Sequence, residues 1–136
     1  MSATYQNEPY VADAHALVWH IANDKRLGKE ARAILTQADQ ARVLVYVPTI
    51  VLAEVMYLAE RGRINVTFSD VLAAVRDSAG YLIYPFDESV LERASEARDI
   101  PELFDRIIVA TAILAEATTI TKVETIIAAQ IVKTVW

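Results

Sequence analysis

The sequence predicts an α/β domain, a short parallel sheet of four to five strands with helices on both faces. Three observations carry that prediction. Short runs of β-branched and aromatic residues alternate with longer segments whose apolar residues recur at helical spacing, the order expected of βαβ units. The run "RVLVYV" is apolar at successive positions, as a strand covered on both faces must be. The chain of 136 residues is long enough to bury roughly two-thirds of its unfolded surface. Residues 1–136 are therefore read as a single domain without a linker.

Taken in order, "YVAD" is a short strand that ends on Asp13, and "AHALVWHIA" follows as a helix. A turn around "NDKRLG" leads to a second helix from about Lys29 to Ala38, and "RVLVYV" is the second strand. Pro48 and Thr49 open a helix running to about Arg61, with Thr49 the expected N-cap and Gly62 the stop. "TFSDVLAAVRDSA" is a fourth helix and "YLIYPF" a third strand. Asp87 is expected to cap "ESVLERASEAR", and Pro101 to start "PELFDRIIVATAILAEA". "TTIT" is the fourth strand and "VKTVW" offers a fifth. In such sheets functional groups gather outside the carboxyl ends of the strands, near the switch in strand order.

Composition narrows the function. With no cysteine, a disulfide framework and a thiolate metal site are excluded, which fits an intracellular, cytoplasmic setting. No basic segment precedes an apolar core at the N-terminus, so no signal peptide is expected. The most apolar run, Val43 to Ala59, is interrupted by Pro48 and Glu54 and falls short of the roughly 20 apolar residues a bilayer requires, so no membrane association is expected. A net charge of −5 argues against a broad positive surface for nucleic acid, but suits an acidic pocket that collects divalent cations. The three glycines, Gly28, Gly62 and Gly80, cannot build a Gly-rich phosphate loop. A hydrophobic content of 54% leaves apolar surface for a partner or for self-association, and a homodimer is expected.

Three acids occupy positions that patterning marks as buried. Glu54 falls within the apolar stripe of Val51, Val55 and Leu58 on its helix. An unpaired buried carboxylate there costs several kcal/mol. A metal ion, a basic partner such as Arg61 or Arg106, or protonation must offset that cost. Asp105 lies near the start of its helix on a stripe continued by Ile108, Val109 and Ala112, although an acid there also gains about 0.3–1 kcal/mol from the helix dipole alone. Asp13 sits where the first strand meets a helix, a position equally suited to an ordinary N-cap. If a parallel sheet brings the three together, their repulsion calls for cations, and all-oxygen ligation favours Mg²⁺ or Mn²⁺. Such a site suits phosphodiester hydrolysis by metal-activated water.

The segments "YVADAHALVWHIA", "VPTIVLAEVMYLA", "PELFDRIIVATAILAEATTITK" and "KTVW" resemble PIN-domain proteins, specifically toxin ribonucleases of the VapC type, over almost the whole chain. The resemblance implies a PIN-like three-layer fold and metal-dependent cleavage of RNA, restrained by a cognate antitoxin protein. It carries the family's first three acids onto Asp13, Glu54 and Asp105, the same three that burial selects. The fourth family acid follows the last inner strand in a Thr, any residue, Asp pattern, which here reads Thr121, Lys122, Val123. Three accounts are open. Glu124 swings in as a further metal ligand, three acids hold one metal with more water, or the protein is a weakened or inactive relative acting through partner binding.

The remaining polar candidates have ordinary readings beside the functional ones. His15 and His20 are five residues apart, not the i, i+4 pair of a helical metal site. Asp99 and Glu102 are peripheral ligands or helix-start acids. Arg106 contacts a phosphate or pairs with an acid on another segment, and Thr121 supports a ligand carboxylate or a metal-bound water. Trp19, Tyr57, Tyr81 and Phe86 have core-like spacing and form no visible base-stacking platform.

Overall fold

The computed structural model describes residues 8–136. Its elements run β1 (Tyr10–Ala12), α1 (Ala14–Ile21), α2 (Lys29–Asp39), β2 (Val45–Pro48), α3 (Thr49–Glu60), α4 (Phe68–Asp77), β3 (Tyr81–Tyr84), α5 (Glu88–Ala94), α6 (Leu103–Ala115), β4 (Thr118–Ile120), α7 (Glu124–Ala129) and β5 (Thr134–Val135). All strand pairs are parallel, in the order β3-β2-β1-β4-β5. This is the α/β class expected, with the C-terminal "VKTVW" supplying the fifth strand.

Both faces of the sheet are covered at its centre. Successive strand residues point to opposite faces, yet Val11 and Ala12 on β1, and Thr119 and Ile120 on β4, are all fully buried. The main core joins α1, α2, α3 and α4 to the central strands through Leu17, Leu35, Val51, Val55 and Val71. Two smaller clusters seat α5 on α6 through Val90, Ala94, Ile107 and Ala110, and α6 on α7 through Val109 and Ile126 with Ile100. Among the described residues no helix is long and apolar enough to cross a membrane.

The chain steps outward from β1 to β2 and β3, then returns across β1 to β4. The direction of winding therefore reverses between β1 and β4, whose ends are in register at Ala12 and Ile120. A crevice opens outside the carboxyl ends of the strands at such a reversal.

Two helix starts differ from expectation. Thr49 is the first helical residue and not the cap; Pro48, in the extended region at φ −62° and ψ 141°, occupies the cap position. The Thr49 hydroxyl donates instead to the Tyr84 carbonyl at 3.1 Å, tying α3 to the end of β3. Pro101 does not open α6, because the capping bond from the Asp105 N–H to Glu102 Oε2 (3.1 Å) holds Glu102 extended and begins the helix at Leu103. Asp87 caps α5 as expected, accepting from the Val90 N–H at 3.1 Å. Gly62 ends α3 at φ +67°; its N–H reaches the Ala59 carbonyl and that of Arg63 the Leu58 carbonyl, the paired bonds of a Schellman stop.

The aromatic residues divide. Trp19 and Tyr81 are core residues, each 6% exposed, whereas Tyr57 is 50% and Phe86 40% exposed. Tyr57 lies on the outer face of α3 beneath the Arg61 guanidinium, and Phe86 follows β3, so neither meets the core that its spacing suggested.

Candidate active site

Asp13 is fixed more tightly than an ordinary cap. Its main-chain N–H donates to Ile120 of β4 at 3.2 Å, and its Oδ1 accepts from the Ala16 N–H at 2.9 Å. The side chain is 4% exposed. Burial pushes its carboxyl above the usual range, against the hydrogen bond from Thr121, the Ala16 N–H and the charges of His15 and Lys122. Asp13 thus caps α1, as its ordinary reading expects, and stands at the reversal of strand order.

Glu54 is half-buried in the second turn of α3, beside Val51 and Val55. Its carboxyl is pushed up to about 7, first by burial and then by the charges of Asp13, Asp105 and Glu102. Neither expected basic partner reaches it. Arg61 lies over the Tyr57 ring, 4.5 Å from its centroid, and Arg106 Nε donates to the Ile100 carbonyl at 2.5 Å. Among the described residues no ion pair involves Glu54, Asp13 or Asp105.

Asp105, half-buried in the first turn of α6, is pushed up to about 6 by burial and by the charges of Glu102 and Asp13. A carboxylate serving only the helix dipole would be drawn down; here burial, with like charge adding to it, outweighs the dipole. β1, α3 and α6 therefore bring Asp13, Glu54 and Asp105 within mutual electrostatic reach.

The fourth acid whose charge bears on this group is Glu102, which sequence reasoning held only as a peripheral ligand or a helix-start acid. Its i, i+3 spacing from Asp105 was the available signal. Glu124 is exposed at the first turn of α7 and is not among the acids that raise Glu54 or Asp105. Val123, at the position of the missing acid, occupies the N-cap of α7 and packs on the cluster of Ile100, Val109 and Ile126.

Oxygen donors that form no ion pair among the described residues suit Mg²⁺ or Mn²⁺. As placed, no three acidic or imidazole side chains among the described residues stand close enough to grip one ion. His15 is exposed, its ring edge-on to Trp19 at 5.3 Å. His20 is tied to Asp39 at 2.8 Å, so the two do not form a shared site. An apolar cavity of about 630 Å³, lined by Met56, Ile64, Val66 and Phe68, opens between α3 and α4 and contains none of the three acids.

Residues 10–126 match the PIN domain family. The fold is similar to that in the crystal structure of VapBC2 from Rickettsia felis bound to a DNA fragment from its promoter, at 17% identity and a TM-score of 0.69, covering 94% of this chain and 98% of that one. FitAcB from Neisseria gonorrhoeae is similar at 22% identity and a TM-score of 0.63, covering 92% and 95% of the two chains. A toxin–antitoxin complex from Klebsiella pneumoniae is similar at 22% identity and a TM-score of 0.56, covering 83% and 85%. At these identities the likeness is one of fold. No curated protein sequence matches the chain.

Proposed function

Because the chain belongs to the PIN-domain family, we propose that it is a metal-dependent endoribonuclease of the VapC type, the toxin of a toxin–antitoxin pair. The observation that carries this reading is the convergence of Asp13, Glu54 and Asp105, whose carboxyls form no ion pair among the described residues and are raised by burial, with like charge adding to it at Glu54 and Asp105. Such an arrangement is costly without a cation among the acids and suited to one with it.

In this reading the three acids are the ligands. Bound there, Mg²⁺ or Mn²⁺ would supply positive charge to the phosphate and lower the pKa of water. Asp13 gives a fixed reference point, since β4, the Ala16 N–H and Thr121 all hold it. Thr121 donates to the Asp13 carboxylate and favours its ionised form. Glu102 fixes the first turn of α6 through the Asp105 N–H and adds negative charge to the site. Hydrolysis then joins water oxygen to phosphorus and breaks the phosphodiester bond to the leaving ribose oxygen.

An antitoxin partner is supported by the toxin–antitoxin complexes that share the fold. A protein partner and a homodimer are both consistent with exposed Met56, Leu82, Ile83 and Phe104. A second reading, a relative that acts through partner binding alone, draws on Val123, which puts an apolar side chain where the family pattern has a carboxylate. The test is cleavage of single-stranded RNA with Mn²⁺ by protein freed of any partner. Wild type is expected to cut, and Asp13→Asn and Asp105→Asn to lose activity; equal activity in all three would sink the assignment.

A further inference from the structure

An acidic chain with a net charge of −5 must bring a polyanion to a cluster of carboxylates, so local positive charge has to offset the repulsion. The Trp19 ring gathers such charge. Lys122 leaves the carboxyl end of β4 directly after Thr121, and its Nζ lies 4.6 Å from the centroid of the Trp19 ring. Arg26 lies over the same ring, its Cζ at 4.5 Å, and His15 meets it edge-on at 5.3 Å. Trp19 is only 6% exposed, so the indole is a seat for cations and not a platform for a base.

The three basic groups are not equivalent. Arg26 is committed to Asp24, with Nε to Oδ1 at 3.0 Å and Nη2 to Oδ2 at 2.8 Å. Lys122 is exposed and has no carboxylate within ion-pair distance among the described residues. Its charge and that of His15 both reach Asp13. An ammonium held by an aromatic face, without an ion-pair partner among the described residues and within electrostatic reach of the buried acid, is placed to meet a phosphate as a point charge.

We propose that Lys122, with His15, is the backbone subsite for single-stranded RNA, holding a phosphate that flanks the scissile one while Asp13, Glu54 and Asp105 take the reacting group. This rests on the ribonuclease reading and adds to it where the strand enters: over the ends of β1 and β4, on the Trp19 side of the acids. Sequence reasoning passed over Lys122, although its place between Thr121 and Val123 was the available signal.

The test is fluorescence anisotropy of a labelled single-stranded oligoribonucleotide, in EDTA to prevent cleavage, across a salt series. Lys122→Met keeps an unbranched chain on the indole and removes the charge. It is expected to weaken binding about 3- to 10-fold and reduce the salt slope by about 0.7, with Lys122→Arg restoring both. Lys133→Ala, at the opposite end of the sheet, is expected to bind as wild type. With Mn²⁺ present, Lys122→Met should raise KM and leave kcat largely unchanged. Wild-type affinity and slope in Lys122→Met would overturn the subsite, even if the protein cleaves RNA. Binding that depends on Lys122 without cleavage by wild type would keep the subsite and sink the ribonuclease reading. Absence of RNA binding by wild type in EDTA would overturn the subsite, while cleavage with Mn²⁺ would still keep the ribonuclease reading.

Discussion

The hydroxyl of Thr121 donates to the carboxyl of Asp13 and accepts from the Val123 N–H at 3.1 Å. One fully buried side chain thus links the ends of β1 and β4 to the turn into α7. Replacing Thr121 by Val keeps its shape and leaves both partners short of a bond. Metal-free stability is expected to fall by about 1–3 kcal/mol, the cost of unsatisfied buried groups. The Asp13 pKa should rise further and Mn²⁺ affinity fall. Thermal melting and calorimetry check both; unchanged Mn²⁺ affinity would show that Thr121 does not tune Asp13.

Asp13 caps α1, and substitution can separate that role from the metal ligation proposed for it. Asn retains an oxygen for the Ala16 N–H and is an excellent N-cap, whereas Ala removes it at a cost of about 1 kcal/mol. Asp13→Asn is therefore expected to melt at or above the wild-type temperature without metal, since a costly buried charge is gone, and to lose cleavage. Asp13→Ala should lose cleavage and stability together. A large stability loss in Asp13→Asn would mean that the charge itself holds the fold.

Gly28 is required by crowding and not by its backbone angles. It has φ −63°, yet a Cβ there would stand 2.4 Å from the carbonyl carbon of Trp136. The Trp136 oxygen accepts from the Glu30 and Ala31 N–H groups at the start of α2, at 3.1 and 3.3 Å, and its ring meets Trp19. Gly28→Ala is expected to cost about 1–3 kcal/mol by overpacking and to disturb the indole pair. Urea unfolding with tryptophan fluorescence reads both effects.

These cases show what the sequence made legible. Alternating strands and helices, and the apolar run of β2, gave the sheet, because burial of both faces leaves a mark at every position. Glu54 was legible for the converse reason, a charge inside an apolar stripe. Helix starts were less so: Pro48 and Pro101 each sit one residue before or at a cap, and only the partner of Thr49 or Glu102 decides which residue begins the helix. Glu102 and Lys122 gain their significance from Asp105, Asp13 and Trp19 across space, which spacing along the chain does not encode.

The shifted acids make a signed prediction about pH. Glu54, at about 7 against an ordinary 4.5, and Asp105, at about 6 against 3.8, are both favoured in protonated form by the metal-free fold. Their contribution to stability is fully present below the ordinary values and is lost as pH rises through 6 and 7. Melting temperature in EDTA is therefore expected to fall from about pH 5 to about pH 8, with Glu54→Gln flattening the upper part. Ligation needs the carboxylates ionised, so stabilisation by Mn²⁺ should grow across the same window. A metal-free melting temperature independent of pH would mean that neither burial nor like charge raises these acids.

Val123 is where the fourth acid can be restored. Its side chain packs on Ile100, Val109 and Ile126, and Val109 lies one turn beyond Asp105 on α6, so position 123 adjoins the face that carries the acids. Val123→Asp exchanges apolar packing for a partly buried carboxylate beside like charges. Metal-free stability should fall by about 1–3 kcal/mol, offset in part by Asp being a better N-cap for α7 than Val. Added Mn²⁺ should then raise the melting temperature more than in wild type, because an ion that binds only the folded chain stabilises it in proportion to its affinity. Glu124→Gln, at an exposed site remote from the other acids' fields, should leave the Mn²⁺ effect as in wild type. If Val123→Asp loses stability and Mn²⁺ restores no more than in wild type, position 123 faces the α6–α7 core alone, and three acids are the whole ligand set.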